Sequence, residues 1–184
     1  MKAKINKVTV NVIQDEPLTV TAAALVNATD PNLSLPSLLA EAGGEALQLQ
    51  CREIGWCDVG AAVITTAGNL PFEKIIHVVG PRWGEGSERG KLALATLAAL
   101  RLTEDNKLKS IALPPISTGI LGYPVENCAK VMLEQIIDFT FEDLKHLRTI
   151  ILFTADVSTH TIFKNEFERQ IEDLKESGDG KVKV

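Results

Sequence analysis

The sequence predicts an α/β sandwich built on a largely parallel central sheet. Three observations lead there. Apolar β-branched runs alternate with segments of helical period along most of the 184 residues. The run Ile111–Leu113 stops at Pro114-Pro115, which cannot donate ladder hydrogen bonds, and a Ser/Thr/Gly loop then feeds a helical pattern from Val125. Hydrophobic residues make up 45% of the chain and charged residues 23%, which suits a globular domain with a substantial core.

Element by element, Lys7–Ile13 is a β-branched run and reads as a strand, punctuated by Gln14–Pro17. Val20–Val26 is small and apolar, as in a buried strand, and ends in the turn formers Asn27-Ala-Thr-Asp-Pro31. Ser34–Ser37 reads as a helix start, followed by an apolar face through Leu38, Leu39, Ala42, Ala46, Leu47 and Leu49. Gly43-Gly44 within it marks either a close packing contact or a helix break. Asp58–Ala67 and Glu73–Val79 read as strands, the second ended by Gly80-Pro81. Lys91–Leu102 carries a helical period, Ser110–Leu113 a short strand and Val125–Phe139 a helix. Thr149–Phe153 is a strand and Ile162–Leu174 a last helix, and the polar stretch 176–184 is expected to fray. No repeat or linker interrupts the pattern, so one domain over 1–184 is expected, its core at about 8–174.

Bulk properties exclude several classes. The net charge is −5 and no Lys/Arg cluster suggests a nucleic-acid surface. The N-terminus lacks the apolar core of a signal peptide, and no apolar run is long enough to span a membrane. Cys51, Cys57 and Cys128 are odd in number and lack metal spacing, and His77, His146 and His160 are scattered. Reduced thiols, a cytoplasmic location, no metal and no cofactor are expected, and self-association is left open.

The loop Ser117–Gly122 is the strongest functional signal. A Gly/Ser/Thr loop between a strand and a helix lies at the carboxyl edge of an α/β sheet, where ligands bind. Glycine permits close backbone approach, and convergent N–H groups with a helix N-terminus suit phosphate oxygens. A polyanion bound without a basic patch needs such backbone dipoles. The alternative is an ordinary turn with glycines at positive φ.

Three segments in order resemble the macro domain family. Ile116-Ser-Thr-Gly-Ile-Leu-Gly-Tyr-Pro124 looks like its second phosphate loop, and Leu25-Val-Asn-Ala28 is similar to its first-loop signature. Gly60–Pro71, followed by Ile76-His-Val-Val-Gly-Pro81, is the third. The resemblance covers roughly residues 8–174. It implies a three-layer α/β/α sandwich with a mixed, largely parallel central sheet, and binding of ADP-ribose or a related nucleotide diphosphate. Some members also hydrolyse ADP-ribosyl esters or deacetylate O-acetyl-ADP-ribose. An ADP-ribosylated protein is the partner this implies.

By the resemblance, Ser117, Thr118, Gly119, Ile120, Leu121, Gly122 and Tyr123 would wrap the diphosphate and distal ribose. Tyr123 either packs on the ribose or fills core space. Asn27 sits where the family's asparagine bonds the distal ribose, the bland alternative being a turn-bonding amide. Glu16, or neighbouring Asp15, lies where an acidic residue reads the adenine amino group; Pro17 removes a backbone donor there. Phe153 at a strand end is a candidate for stacking on adenine, with core packing as the alternative. His77 reads as a satisfied core residue, and Trp56 and Trp83 as structural or rim residues.

The chain departs from the family at its first loop. Catalytically active relatives carry a glycine run followed by an acidic residue, whereas Thr29-Asp-Pro-Asn-Leu-Ser-Leu-Pro-Ser37 has no glycine and is shorter. Asp30 replaces the signature's second asparagine and brings negative charge towards a diphosphate site. It is also the one candidate replacement base for hydrolysis. A binding module is therefore the leading expectation. An ADP-ribosyl hydrolase or O-acetyl-ADP-ribose deacetylase is the alternative, and a ligand-free structural protein of the same fold the third.

Overall fold

The computed structural model describes residues 1–184. The strands are β1 (Lys2–Ile5), β2 (Val8–Gln14), β3 (Ala24–Thr29), β4 (Ala62–Thr66), β5 (Lys74–Val79), β6 (Ser110–Leu113), β7 (Thr149–Thr154) and β8 (Val182–Lys183). The helices are α1 (Ser37–Gly43), α2 (Glu45–Ile54), α3 (Glu88–Asp105), α4 (Val125–Phe139) and α5 (Val157–Ser177).

All eight strands form one sheet in the order β4-β5-β3-β6-β7-β2-β1-β8. The inner pairs β5–β3, β3–β6, β6–β7 and β7–β2 are parallel, and β4–β5, β2–β1 and β1–β8 are antiparallel. The parallel strands are buried on both faces and accordingly read as continuous apolar runs, such as Ile75–Val79 and Ile111–Leu113. One face packs against α3, α4 and α5 through Leu92, Met132, Ile136, Phe163 and Phe167. The other packs against α1 and α2 through Leu39, Leu47 and Cys51. The sheet is thus the middle layer of an α/β/α sandwich.

Several elements differ from their expected bounds, each for a local reason. The strand expected over Val20–Val26 begins instead at Ala24. The residues before it form a turn in which Thr19 and Val20 donate to the Glu16 carbonyl, and the Asp15 carboxylate accepts from Glu16 N–H and the Thr19 hydroxyl. Between α1 and α2 the chain breaks at Gly44, whose φ is +82°. Gly43 also makes a close packing contact, since a Cβ there would press on Leu47 Cδ2. Helix α5 starts five residues before the expected Ile162 because Asp156 caps it, accepting from Thr159 N–H at 2.8 Å. The tail does not simply fray: Val182–Lys183 pairs with β1, and the Asn6 side chain accepts from Lys181 N–H at 3.1 Å. No helix is long and apolar enough to cross a membrane.

The connectivity creates one crevice. β3 and β6 lie side by side and parallel, yet β3 feeds α1 and α2 on one face while β6 feeds α4 on the other. Their exit loops diverge at the carboxyl edge of the sheet, the switch-point geometry that opens ligand clefts in this fold class.

Candidate functional site

A cleft of about 440 Å³ occupies that switch point. One wall is the loop after β3 (Ala28, Thr29, Asp30, Ser34, Leu35, Pro36) and the other the loop after β6 (Pro115–Ser117 and Gly119–Leu121), with Gly80 from the end of β5 between them. Asp30 is the one charged side chain in the lining. An anionic guest there would meet backbone dipoles and no lysine or arginine.

The loop after β6 supplies those dipoles. The N–H groups of Ser117, Thr118, Gly119, Ile120 and Leu121 have no acceptor within the protein. The loop closes through Gly122 N–H to the Gly119 carbonyl (3.0 Å) and Tyr123 N–H to the Ser117 carbonyl (2.9 Å), which leaves the intervening amides free. Ser117 adopts φ +68°, a left-handed conformation costly for a residue with a Cβ, on the order of 1–2 kcal/mol. Its hydroxyl is buried without a hydrogen-bond partner, beside Gly80. Ile120 stands at the tip, 95% exposed. Unpaired amides next to a cavity are the arrangement that receives phosphate oxygens.

The loop after β3 is stitched down despite lacking glycine. Asp30 Oδ1 accepts from Asn32 N–H (2.9 Å) and Ser34 N–H (3.4 Å), leaving its second oxygen without a protein partner. Thr29 donates its hydroxyl to the Ser34 carbonyl at 2.6 Å. Leu33, at φ +59°, turns the chain and buries its side chain among the α1/α2 core. Cys57 N–H holds the Pro31 carbonyl at 2.9 Å. A set of hydrogen bonds and one buried leucine does the work that glycines would do by flexibility.

The other expected site residues fall in different places. Asn27 is 3% exposed, and its amide nitrogen reaches the Ser34 carbonyl (3.4 Å) and His77 Nδ1 (3.1 Å), so both its N–H groups are committed inside the protein. Asp15 is occupied with its own turn, whereas Glu16 is exposed and its carboxylate has no protein partner. Neither lines the cleft. Phe153 is 3% exposed and packs in the α1/α2 core, as befits an aromatic whose strand is buried on both sides, and it does not line the cleft. Tyr123 is equally buried and meets Trp83 edge-on at 5.0 Å, filling core space beneath the loop. Gly122 takes φ +74° to close the loop, outside the cleft lining.

Gly80, Ser34, Leu35, Pro36, Pro115 and Ile116 line the cleft without having been singled out as contact residues. Gly80 had a signal, since it ends a buried strand at the same sheet edge. The others are set by how two distant loops face each other.

Titration follows burial. His77 is buried, which lowers its pKa to about 4. Burial raises the Cys128 thiol to about 12, so it is an inert core group donating to the Ile116 carbonyl. Cys51 and Cys57 are free thiols, also raised chiefly by burial.

The family model for the macro domain matches residues 26–132, which contain both cleft walls. The chain belongs to the macro domain family. This macro domain is 40% identical over 171 residues to an uncharacterised protein of Sulfurisphaera tokodaii, covering 88% of this chain and 92% of that one. It is 34% identical over 164 residues to the O-acetyl-ADP-ribose deacetylase 1 of Pantoea vagans, covering 84% and 95% of the two chains. Among solved structures it superposes on a variant Oceanobacillus iheyensis macrodomain with ADP-ribose at a TM-score of 0.86, with 28% identity over 94% of this chain and 98% of that one. The three-layer fold of this macro domain is therefore the family's own.

Proposed function

We propose that this macro domain binds ADP-ribose or a related nucleoside diphosphate, free or attached to a protein, in the cleft between the loops after β3 and β6. The observation that carries the reading is the run of five amides, Ser117 to Leu121, with no internal acceptor beside a cavity of about 440 Å³. The diphosphate sits on those amides, and the distal ribose lies toward Asp30. Glu16, exposed and unpaired, is the carboxylate available to an adenine amino group. Support comes from the Oceanobacillus iheyensis relative with ADP-ribose. Calorimetry with ADP-ribose, ADP and AMP tests the reading: ADP-ribose and ADP bind, and AMP, lacking a diphosphate, binds far more weakly. No heat with ADP-ribose at millimolar concentration refutes it.

A hydrolytic activity is the second reading. It is favoured by the relative named O-acetyl-ADP-ribose deacetylase 1 and by the free carboxylate oxygen of Asp30 on the cleft wall. That oxygen would accept a proton from an attacking water. Release of acetate from O-acetyl-ADP-ribose, lost in Asp30→Ala, supports this reading, and an inert wild-type protein removes it.

A further inference from the structure

The residue that links the core to the first cleft wall is His77. It lies in β5 directly across from Asn27 in β3, in parallel register. The hydrogen bonds around the ring assign its tautomer. The Thr65 hydroxyl lies 2.9 Å from the Thr66 carbonyl and 2.8 Å from His77 Nε2, so it can donate to the carbonyl while accepting from an Nε2–H. From the other side, the Ser34 carbonyl requires that the NH₂ end of Asn27 face it, and the same NH₂ meets His77 Nδ1, which must be the bare nitrogen. A bare Nδ1 puts the hydrogen of the neutral ring on Nε2, which the Thr65 hydroxyl accepts. Cys51 Sγ, 3.6 Å from Nε2, is compatible with that hydrogen.

We propose that His77 is a positioning residue: through Nδ1 it fixes the Asn27 amide, and Asn27 in turn holds the Ser34 carbonyl, so that the loop Asp30–Ser34 stays in the shape that puts Asp30 on the cleft wall. The Ser34 carbonyl is the shared anchor, taking both Asn27 Nδ2 and the Thr29 hydroxyl. Ser34 N–H and Asn32 N–H close on Asp30 Oδ1, so a displaced Ser34 displaces Asp30 with it. With no glycine between Thr29 and Ser37, the loop has few other conformations that keep Leu33 left-handed and buried. His77 does not line the cleft. The effect on ligand rests on the cleft being the nucleotide site; the effect on the loop does not.

Two substitutions separate positioning from mere packing. His77→Asn places a carbonyl oxygen near the Nδ1 position and keeps the acceptor for Asn27. His77→Gln places its amide near the Nε2 position, keeps the contact with Thr65 and loses that acceptor. Expected for His77→Asn is ADP-ribose affinity within about threefold of wild type, and for His77→Gln a loss of about tenfold or more. Amide exchange at Asn32 and Ser34 should accelerate in His77→Gln and stay near wild type in His77→Asn. Nitrogen-15 spectra of the wild-type ring should show a protonated Nε2 and a bare Nδ1. The opposite tautomer, or equal behaviour of the two variants in exchange and binding, overturns the proposal. If wild type fails to bind ADP-ribose, the nucleotide reading falls while the exchange comparison still decides the role of His77. If His77→Gln does not fold, the ring spectra and the exchange rates of His77→Asn decide it.

Discussion

Gly80 and Ser117 meet at the floor of the cleft so closely that a methyl group on Gly80 would overlap the Ser117 hydroxyl and the Ile116 side chain. The end of β5 and the loop after β6 are thereby held against each other across β3. Gly80→Ala must push the loop after β6 away. The expected result is a stability loss of about 1–3 kcal/mol, typical of overpacking, read by urea unfolding. ADP-ribose affinity should fall by about tenfold or more in calorimetry. Ile120→Ala, at the solvent-exposed tip, should leave stability within about 0.5 kcal/mol. A Gly80→Ala protein that binds normally would sink the idea that this contact sets the loop.

Asp30 is the one charge on the cleft wall, and it is negative. Asp30→Asn keeps an oxygen for Asn32 and Ser34 N–H while removing that charge. Relief of like-charge repulsion, on the order of 1–3 kcal/mol in a partly wet cleft, should raise ADP-ribose affinity at least about fivefold. Should the protein deacetylate O-acetyl-ADP-ribose, the same variant binds tighter and turns over more slowly. A fall in affinity would mean that the carboxylate contacts the ribose favourably.

Acid should destabilise the fold through His77. Its ring stays neutral in the native state down to about pH 4, whereas in the unfolded chain it protonates near 6.5. Between those values the unfolded state binds the extra proton, so stability falls as pH falls. It changes little through this group above about 6.5. The full loss is about 3 kcal/mol. Denaturant unfolding from pH 7 to 4.5 measures it, and His77→Gln should flatten the slope. An unchanged slope in the variant would assign the acid sensitivity to other groups.

Removal of residues 179–184 should cost little and leave binding intact. β8 pairs only with β1, at the edge of the sheet away from β3 and β6. A loss of about 1 kcal/mol, or a Tm drop of about 2–4 °C, is expected, with ADP-ribose affinity unchanged. A large loss of affinity would imply that the far edge supports the cleft.

The strand Ser110–Leu113 and the helix Val125–Phe139 were legible to the residue, because a run of buried apolar residues cut by two prolines, and a sustained helical period, are local signals. Helices α3 and α5 run longer than their apolar periods, since polar first and last turns, and at α5 the Asp156 cap, extend a helix without apolar spacing. β1 and β8 leave no such signal: β1 spans only four residues, alternating lysine with apolar side chains, and β8 is a two-residue edge strand whose partner β1 lies at the opposite end of the sequence.

The amino-acid sequence alone determined the fold class, the family and the phosphate-loop candidate, because each rests on local periods and motifs read in order along the chain, with no need to know which segments pair. Tertiary structure alone decided which of the proposed contact residues share a cavity. Asn27 and Phe153 went into the interior, and Gly80, Leu35 and Pro36 onto the cleft, because strand register and the divergence of neighbouring exit loops assign faces. A side chain's face in a sheet alternates with each residue, so placing it depends on pairing between segments fifty or more residues apart.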